Sequence, residues 1–103
     1  MTADNYASPQ RLIVLRNLTT QETYTCNAPS NTIGRRQEND IVLLTDANCS
    51  GFHAKIYFTQ GDWFVEDLNS TNGTTVNNRL VNGRAAIAVG DTIKIGRTQF
   101  QIE

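Results

Sequence analysis

The stretch that decides the fold runs from Asp67 to Asn77 and reads DLNSTNGTTVN. It follows a strand-like apolar run at 63–65, and its centre consists of small polar residues and one glycine, which are poor core formers. Asn72-Gly73 is the strongest short turn signal in the chain, because both residue types tolerate a positive φ angle and match hairpin twist. The other polar side chains either hydrogen-bond neighbouring backbone or face a ligand. Taken alone, the stretch predicts a hairpin loop.

Two upstream loops shift that interpretation towards a ligand-binding loop. One holds Arg35 directly after Gly34, at the end of a short β-prone segment. The other holds Ser50 and His53 just before an alternating apolar segment. Polar and cationic residues that follow several strands of one sheet are typical of a binding site built from loop ends.

Length and charge limit the classes of function. The chain has 103 residues, 39% of them hydrophobic, and a net charge of −1, which fits one domain with one core. A nucleic-acid binder that works by bulk electrostatics carries a clear basic excess, so we expect no nucleic-acid partner. The chain has no apolar run of membrane-spanning length and no signal peptide, so we expect no membrane contact by this domain. We expect a cytoplasmic location, or a nuclear one in a eukaryote, and a longer parent chain could carry a membrane anchor or other domains.

The cysteine and histidine content argues against metals and disulfides. Cys26 and Cys49 are too few for a disulfide framework, and with the single His53 they match no zinc-binding spacing. We therefore expect free thiols, no metal and no cofactor. No paired carboxylates, Cys-His pair or nucleotide loop occurs at a catalytic spacing, so we expect a domain that is not an enzyme.

Short β-prone segments fill the rest of the chain. They alternate with turns rich in Gly, Asn and Asp, and no ten-residue window has helical periodicity. Trp63 and Phe64 adjoin in one such segment, so one side chain is expected in the core and the other partly exposed. The pattern predicts an all-β sandwich over residues 11–103, preceded by a disordered arm over residues 1–10.

Five motifs occur in an order that resembles one known family. They are Gly34-Arg35, Asn39-Asp40-Ile41, Ser50-x-x-His53, Ser70-Thr71-Asn72-Gly73-Thr74, and Gly90-Asp91 through Ile95-Gly96. Together they resemble the forkhead-associated (FHA) domain over about Leu12 to Ile102. The resemblance implies a β-sandwich of eleven short strands that recognises phosphothreonine in partner proteins.

The residue chemistry of these motifs suits a phosphate ligand. A dianionic phosphate needs a fixed cation and several neutral donors held at the ends of rigid strands. Arg35 can offer a planar fork of donors, and Ser50 and Thr71 can add hydroxyl donors. The resemblance implies that these three contact the phosphate and that Asn72 contacts the peptide backbone, although Asn72 is equally suited to holding its own loop.

The remaining candidates have supporting or secondary roles. Gly34 and Gly73 are expected to serve the backbone conformation, and the resemblance implies that His53 props the binding loops through hydrogen bonds. Gly51 departs from the family pattern, which often has Arg, Lys or Asn after the serine, and it offers the ligand only its backbone. Secondary contacts are predicted for Arg36, Asn48 and Asn69, and Arg36 is a candidate to replace the missing charge.

The function predicted from sequence is a phosphothreonine-dependent protein- or peptide-binding module in Ser/Thr kinase signalling or regulated assembly. Its partner is a phosphothreonine-containing protein or peptide, in trans or on the parent chain. The alternative is an interaction or assembly domain that keeps the FHA fold and binds without phosphate.

Overall fold

The computed structural model describes residues 12–103, and these form eleven β-strands without a helix. The predicted disordered arm over residues 1–10 lies outside the described residues. The strands are β1 (Ile13–Asn17), β2 (Thr23–Cys26), β3 (Ser30–Gly34), β4 (Ile41–Val42), β5 (Ala54–Thr59), β6 (Asp62–Asp67), β7 (Thr74–Val76), β8 (Arg79–Leu80), β9 (Arg84–Ile87), β10 (Thr92–Ile95) and β11 (Thr98–Ile102). The prediction of an all-β fold with about eleven short strands is confirmed.

The strands form two sheets that pack face to face. One sheet has six strands in the order β2-β1-β11-β10-β7-β8, and the other has five in the order β4-β3-β5-β6-β9. The β3–β4 pair is parallel, and the other recorded pairs are antiparallel. The topology therefore brings strands far apart in sequence, such as β1 and β11, into contact at the centre of a sheet.

Alternation of side chains along each strand builds the core. Strand β1 buries Ile13 and Leu15 and leaves Val14 and Arg16 half-buried, as expected for a strand with one face inward. Trp63 is 1% exposed while its neighbour Phe64 is half-buried, which confirms that the two side chains point to opposite faces. The core is thus an apolar layer between the inner faces of the two sheets.

The glycine at position 61 and the asparagines at positions 77 and 78 predict tight turns, and the structure has a turn at both places. Gln60-Gly61 joins β5 to β6 with φ angles of 54° and 84°, and Asn77-Asn78 joins β7 to β8 with φ angles of 51° and 68°. Positive φ at both central residues is the conformation that matches the twist of a two-residue hairpin.

The prediction of a hairpin loop at Asn72-Gly73 is wrong. Strand β6 already pairs with β5 on one side and β9 on the other, so β7 cannot join it and pairs with β10 in the other sheet. Only Gly73 of the pair has a positive φ angle, at 82°. The stretch is a connection that crosses between the sheets, and this crossing leaves its polar residues at one end of the sandwich.

Candidate functional site

Three loops meet at this end of the sandwich, and we call them the site loops. They comprise residues 35–40 after β3, residues 43–53 between β4 and β5, and residues 68–73 between β6 and β7. Backbone hydrogen bonds tie the first two together, from Arg35 N–H to the Ser50 carbonyl at 3.0 Å and from Arg36 N–H to the Gly51 carbonyl at 3.1 Å. The site loops are therefore extensions of the sheet hydrogen bonding and have limited freedom to separate.

Gly34 permits this close approach. A Cβ atom at position 34 would lie 2.1 Å from the Gly51 carbonyl oxygen and 2.7 Å from Asn39 Nδ2. Only glycine can occupy such a position without displacing the backbone opposite. Because β3 ends at Gly34, the side chain of Arg35 starts directly beside Ser50.

The side chain of Asn39 also connects the first two site loops by hydrogen bonds. Its side chain is 6% exposed, and Nδ2 donates to the Arg36 carbonyl at 2.8 Å and to the Gly51 carbonyl at 2.7 Å. This buried side-chain amide adds one bond between the two loops to their backbone pairing and a second bond within the first loop. Asn39 belongs to a sequence motif, but the sequence assigned it no role.

His53 links the second and third site loops. The ring is fully buried, Nδ1 accepts a hydrogen bond from Ser50 N–H at 3.0 Å, and Nε2 lies 2.8 Å from the Gly73 carbonyl oxygen. Since Nδ1 acts as an acceptor, the neutral ring carries its proton on Nε2 and donates it to Gly73. The imidazole has both nitrogens committed to loop backbone, which is the location that its predicted supporting role requires.

Asp67 organises the turn of the third site loop. Its carboxylate accepts hydrogen bonds from Ser70 Oγ at 2.6 Å, Ser70 N–H at 3.0 Å and Thr74 Oγ1 at 2.8 Å. Burial acts to raise the pKa of Asp67, but the hydrogen bonds from Ser70 and Thr74, with His53 nearby, outweigh it and lower the pKa below its ordinary value. No role was predicted for Asp67 from the sequence, although an Asp three positions before a Ser is typical of a side-chain-capped turn.

The outer surface of the site loops carries the predicted contact residues. Thr71 N–H donates to Ser50 Oγ at 3.0 Å, and Asn72 Nδ2 donates to the Asn48 carbonyl at 2.9 Å. Because Ser50 Oγ is used here as an acceptor, its own O–H proton remains available to a ligand. Both contacts hold the second and third site loops side by side.

A cavity of about 400 Å³ opens between these side chains. Among its lining residues are Arg35, Asn48, Ser50, Gly51, Thr71 and Asn72. The Arg35 side chain is exposed, and no carboxylate within residues 12–103 lies at ion-pair distance from it. The cavity therefore combines one cation without a protein counter-ion and several neutral hydrogen-bond donors.

Cys49 also lines this cavity, and its thiol is uncharged. Burial and the nearby Asp46 raise the pKa of its thiol to about 11, although Arg35 acts in the opposite direction. Burial likewise raises the pKa of Cys26 to about 12. A thiol with such a pKa is protonated at neutral pH and is a poor nucleophile and a poor metal ligand.

The structure thus brings together six of the predicted contact residues and separates two others. The side chain of Arg36 lies outside the cavity, across Gly51. Asn69 is exposed with a φ angle of 60° and does not line the cavity. Gly73 has the positive φ angle that its supporting role requires, and a Cβ atom there would lie 2.8 Å from Leu80 Cδ1.

Residues 12–103 contain neither a candidate metal centre nor a helix suited to cross a membrane. Within this range, no three or more His, Cys, Asp or Glu side chains are grouped closely enough to hold a metal ion. No helix in the same range has the length and apolar character needed to cross a membrane.

Comparisons with known proteins agree with this geometry. The family model described as FHA domain matches residues 31–96. The chain is 32% identical over 91 residues to the FHA domain-containing protein FhaB of Mycobacterium tuberculosis, which covers 88% of this chain and 58% of FhaB. It therefore spans somewhat more than half the length of that relative.

Solved structures are similar over most of the chain. Mycobacterium tuberculosis EmbR in complex with a low-affinity phosphopeptide superposes with a TM-score of 0.86 at 32% identity, covering 91% of this chain and 24% of EmbR. The FhaA FHA domain complexed with the intracellular domain of Rv3910 gives a TM-score of 0.81 at 35% identity, covering 88% of this chain and 99% of that domain. From the matched motifs, the two-sheet topology and these similarities, the chain belongs to the forkhead-associated domain family.

Proposed function

We propose that this domain binds protein segments that carry phosphothreonine, as a non-enzymatic module in Ser/Thr kinase signalling or regulated assembly. The observation that carries the proposal is the exposed Arg35 guanidinium, which has no ion-pair partner within residues 12–103 and opens onto a cavity lined by Ser50, Thr71 and Asn72. A buried or paired arginine would be structural. An arginine left without a counter-ion beside neutral donors is prepared for an external anion.

Each side chain has a distinct role in the proposed complex. Arg35 donates to two phosphate oxygens, and the Ser50 hydroxyl donates to a third while its oxygen holds Thr71 N–H. Thr71 adds a second hydroxyl donor. Asn72 uses one amide N–H to hold Asn48, so its second N–H and its carbonyl oxygen remain for the peptide backbone.

The site loops are held in place before the ligand arrives. Gly34, Asn39 and His53 fix the backbone on which Arg35 and Ser50 stand. Rigid donors lose little conformational freedom on binding, so more of the interaction free energy appears as affinity. This supports recognition of a single phosphorylated side chain by a small surface.

The similarity to EmbR supports the same proposal, because the EmbR complex contains a phosphopeptide. The FhaA complex contains a protein domain as the partner. We accordingly propose a phosphothreonine-containing protein or peptide as the partner of this domain.

The proposal is tested with a degenerate phosphothreonine peptide library and its unphosphorylated counterpart, titrated against the purified domain. We expect binding only to the phosphorylated set, because charged hydrogen bonds to the phosphate contribute about 1.5–3 kcal/mol each. Equal affinity for the two sets would overturn the proposal in favour of a phosphate-independent interaction domain.

A third peptide set, with phosphoserine, tests which phosphorylated residue is recognised. Threonine adds one methyl group, and its burial against the loops at Ser50 and Asn69–Asn72 is worth about 0.8 kcal/mol or somewhat more. We expect phosphothreonine to bind at least several-fold more tightly than phosphoserine. Equal affinity for the phosphothreonine and phosphoserine peptides would show that the site loops do not bury the threonine methyl group.

A further inference from the structure

Arg36 packs across Gly51 instead of pointing away from the site. A Cβ atom at position 51 would lie 3.2 Å from Arg36 Cγ and Nε and 3.3 Å from Arg36 Cδ. The arginine stem therefore fills the space into which a side chain at position 51 would project. Gly51 leaves room for this arrangement, because a Cβ atom at these distances would force the arginine stem to shift by a few tenths of an ångström.

Phe52 holds the far end of the same side chain. The Arg36 Cζ atom lies 5.8 Å from the centre of the Phe52 ring, within the range of a cation–π contact. Phe52 is 43% exposed, in a loop where a polar residue would be the usual choice. A ring below the guanidinium leaves the N–H groups at its edge available to an anion.

Arg36 is also without a counter-ion among the described residues. Arg16–Glu103 is the ion pair between an arginine and a carboxylate within residues 12–103, and it does not involve Arg36. The domain thus has two adjacent arginines that share the Gly51 wall, and only Arg35 lines the cavity. Each of these two guanidinium groups can bind its own anionic group, or one can bind an anion while water solvates the other.

We infer that Arg36, supported by Phe52 and Gly51, forms a second anion subsite that selects an acidic side chain beside the phosphothreonine. The inference rests on the proposed function. Arg36 lies outside the cavity that would take the phosphate, at its Gly51 rim, so the anion it meets belongs to a neighbouring residue of the ligand. Consecutive peptide residues are about 3.8 Å apart at Cα, so a flanking Asp or Glu reaches such a rim.

The experiment compares peptides that carry one phosphothreonine in a neutral background. One peptide has neutral flanks only, and each of the others has a single Glu at one of the three positions before or after the phosphothreonine. Affinities are measured for the wild-type domain, for Arg36→Gln and for Lys94→Gln. Lys94 is an exposed cation on β10 that does not line the site cavity, so its variant is matched in net charge and leaves the cavity residues unchanged.

We expect at least one Glu position to raise the affinity of the wild-type domain by about three- to fivefold, the range of a partly exposed ion pair. Arg36→Gln removes this gain and leaves the affinity for the neutral peptide within about twofold, whereas Lys94→Gln retains the gain. Because the pair is exposed, the gain also shrinks as salt is raised from 0.05 to about 0.5 M.

Phe52→Leu provides a second variant that keeps the loop apolar and removes the aromatic ring. We expect it to reduce the Glu preference and to spare binding of the neutral peptide. Its melting temperature is measured alongside, so that a loss of fold is separated from a loss of selectivity.

Four results would overturn the inference. A Glu preference that persists in Arg36→Gln would place the subsite elsewhere. An equal loss for all peptides in Arg36→Gln would make Arg36 a phosphate contact. Tight phosphopeptide binding with no Glu preference at any position would remove the subsite while leaving the proposed function intact, whereas no binding of any phosphopeptide by the wild type would remove both.

Discussion

The two ends of the sandwich use similar polar residues in different ways. At the end opposite the site loops, Asn77 Nδ2 donates to Asp91 Oδ1 at 3.0 Å and Asn77 Oδ1 accepts from Thr92 N–H at 3.0 Å. Asp91 Oδ2 accepts in turn from Ala88 N–H at 2.8 Å. Donors and acceptors here satisfy one another across two turns, and the result is a closed structural network.

At the site end the structural hydrogen-bond network lies beneath the surface. His53 and Asn39 are buried and bond the backbone of the site loops, while Arg35 stands exposed above them. The comparison teaches that a binding surface needs both layers, since the buried one fixes the geometry and the outer one keeps its donors for a ligand. Four experiments test this contrast, and the first three each include a control variant.

Replacement of Arg35 is expected to give the largest effect. Arg35→Ala removes the proposed charge pair with phosphate, and we expect the affinity for a phosphothreonine peptide to fall about 100-fold or more. Calorimetric titration measures it. Arg79→Ala, an exposed arginine next to the Asn77-Asn78 turn at the other end, is expected to leave affinity unchanged. If the Arg35→Ala variant loses peptide binding only because it unfolds, Arg35 has a structural role.

Replacement of Gly34 tests the buried layer. Gly34→Ala places a methyl group 2.1 Å from the Gly51 carbonyl oxygen, and we expect it to lower the free energy of unfolding by about 3 kcal/mol. Gly61→Ala is the control, because no atom lies within 4 Å of its added Cβ and only its φ angle of 84° is strained. That strain costs about 1–2 kcal/mol. Urea denaturation measures both free energies of unfolding. A larger loss for Gly61→Ala than for Gly34→Ala would contradict the expected clash at position 34.

Replacement of His53 compares the two networks directly. His53→Ala leaves Ser50 N–H and the Gly73 carbonyl unpaired in a buried place, so we expect a loss of about 2–3 kcal/mol in the free energy of unfolding. We also expect several-fold weaker peptide binding. Asn77→Gly removes the corresponding exposed bonds without straining its φ angle of 51°, and should cost about 1 kcal/mol or less. Equal effects of the two variants would show that burial of the network has no consequence.

Acidification is expected to give the smallest and most specific effect. The folded-state pKa of Asp67 is lowered, so its carboxylate stabilises the fold fully above the unfolded-state pKa of about 3.9. That contribution is lost as the pH falls from there through the folded-state pKa. The difference in unfolding free energy between wild type and Asp67→Asn should therefore be constant from pH 7 to 5 and shrink below about pH 4. A difference that stays constant down to pH 3 would contradict this.

Much of the local structure follows from the sequence alone. The turns at 60–61 and 77–78 form where Gly61, Asn77 and Asn78 tolerate positive φ angles, and Trp63 and Phe64 take opposite faces because strand side chains alternate. The order of the motifs was sufficient to indicate the family. These features depend on neighbouring residues only, so a reading of the chain can recover them.

Tertiary structure decided which loops meet and how. The Asp67–Asn77 stretch looked like a hairpin, but both sides of β6 are occupied by β5 and β9, and no local signal carries that information. The amide of Asn39 acquires its role from the Gly51 carbonyl in another loop, and Arg36 lies over Gly51 because that residue leaves room for it. Contacts between residues distant in sequence depend on how the two sheets pack, because packing, and not local conformational preference, determines which polar groups lose water and must find one another.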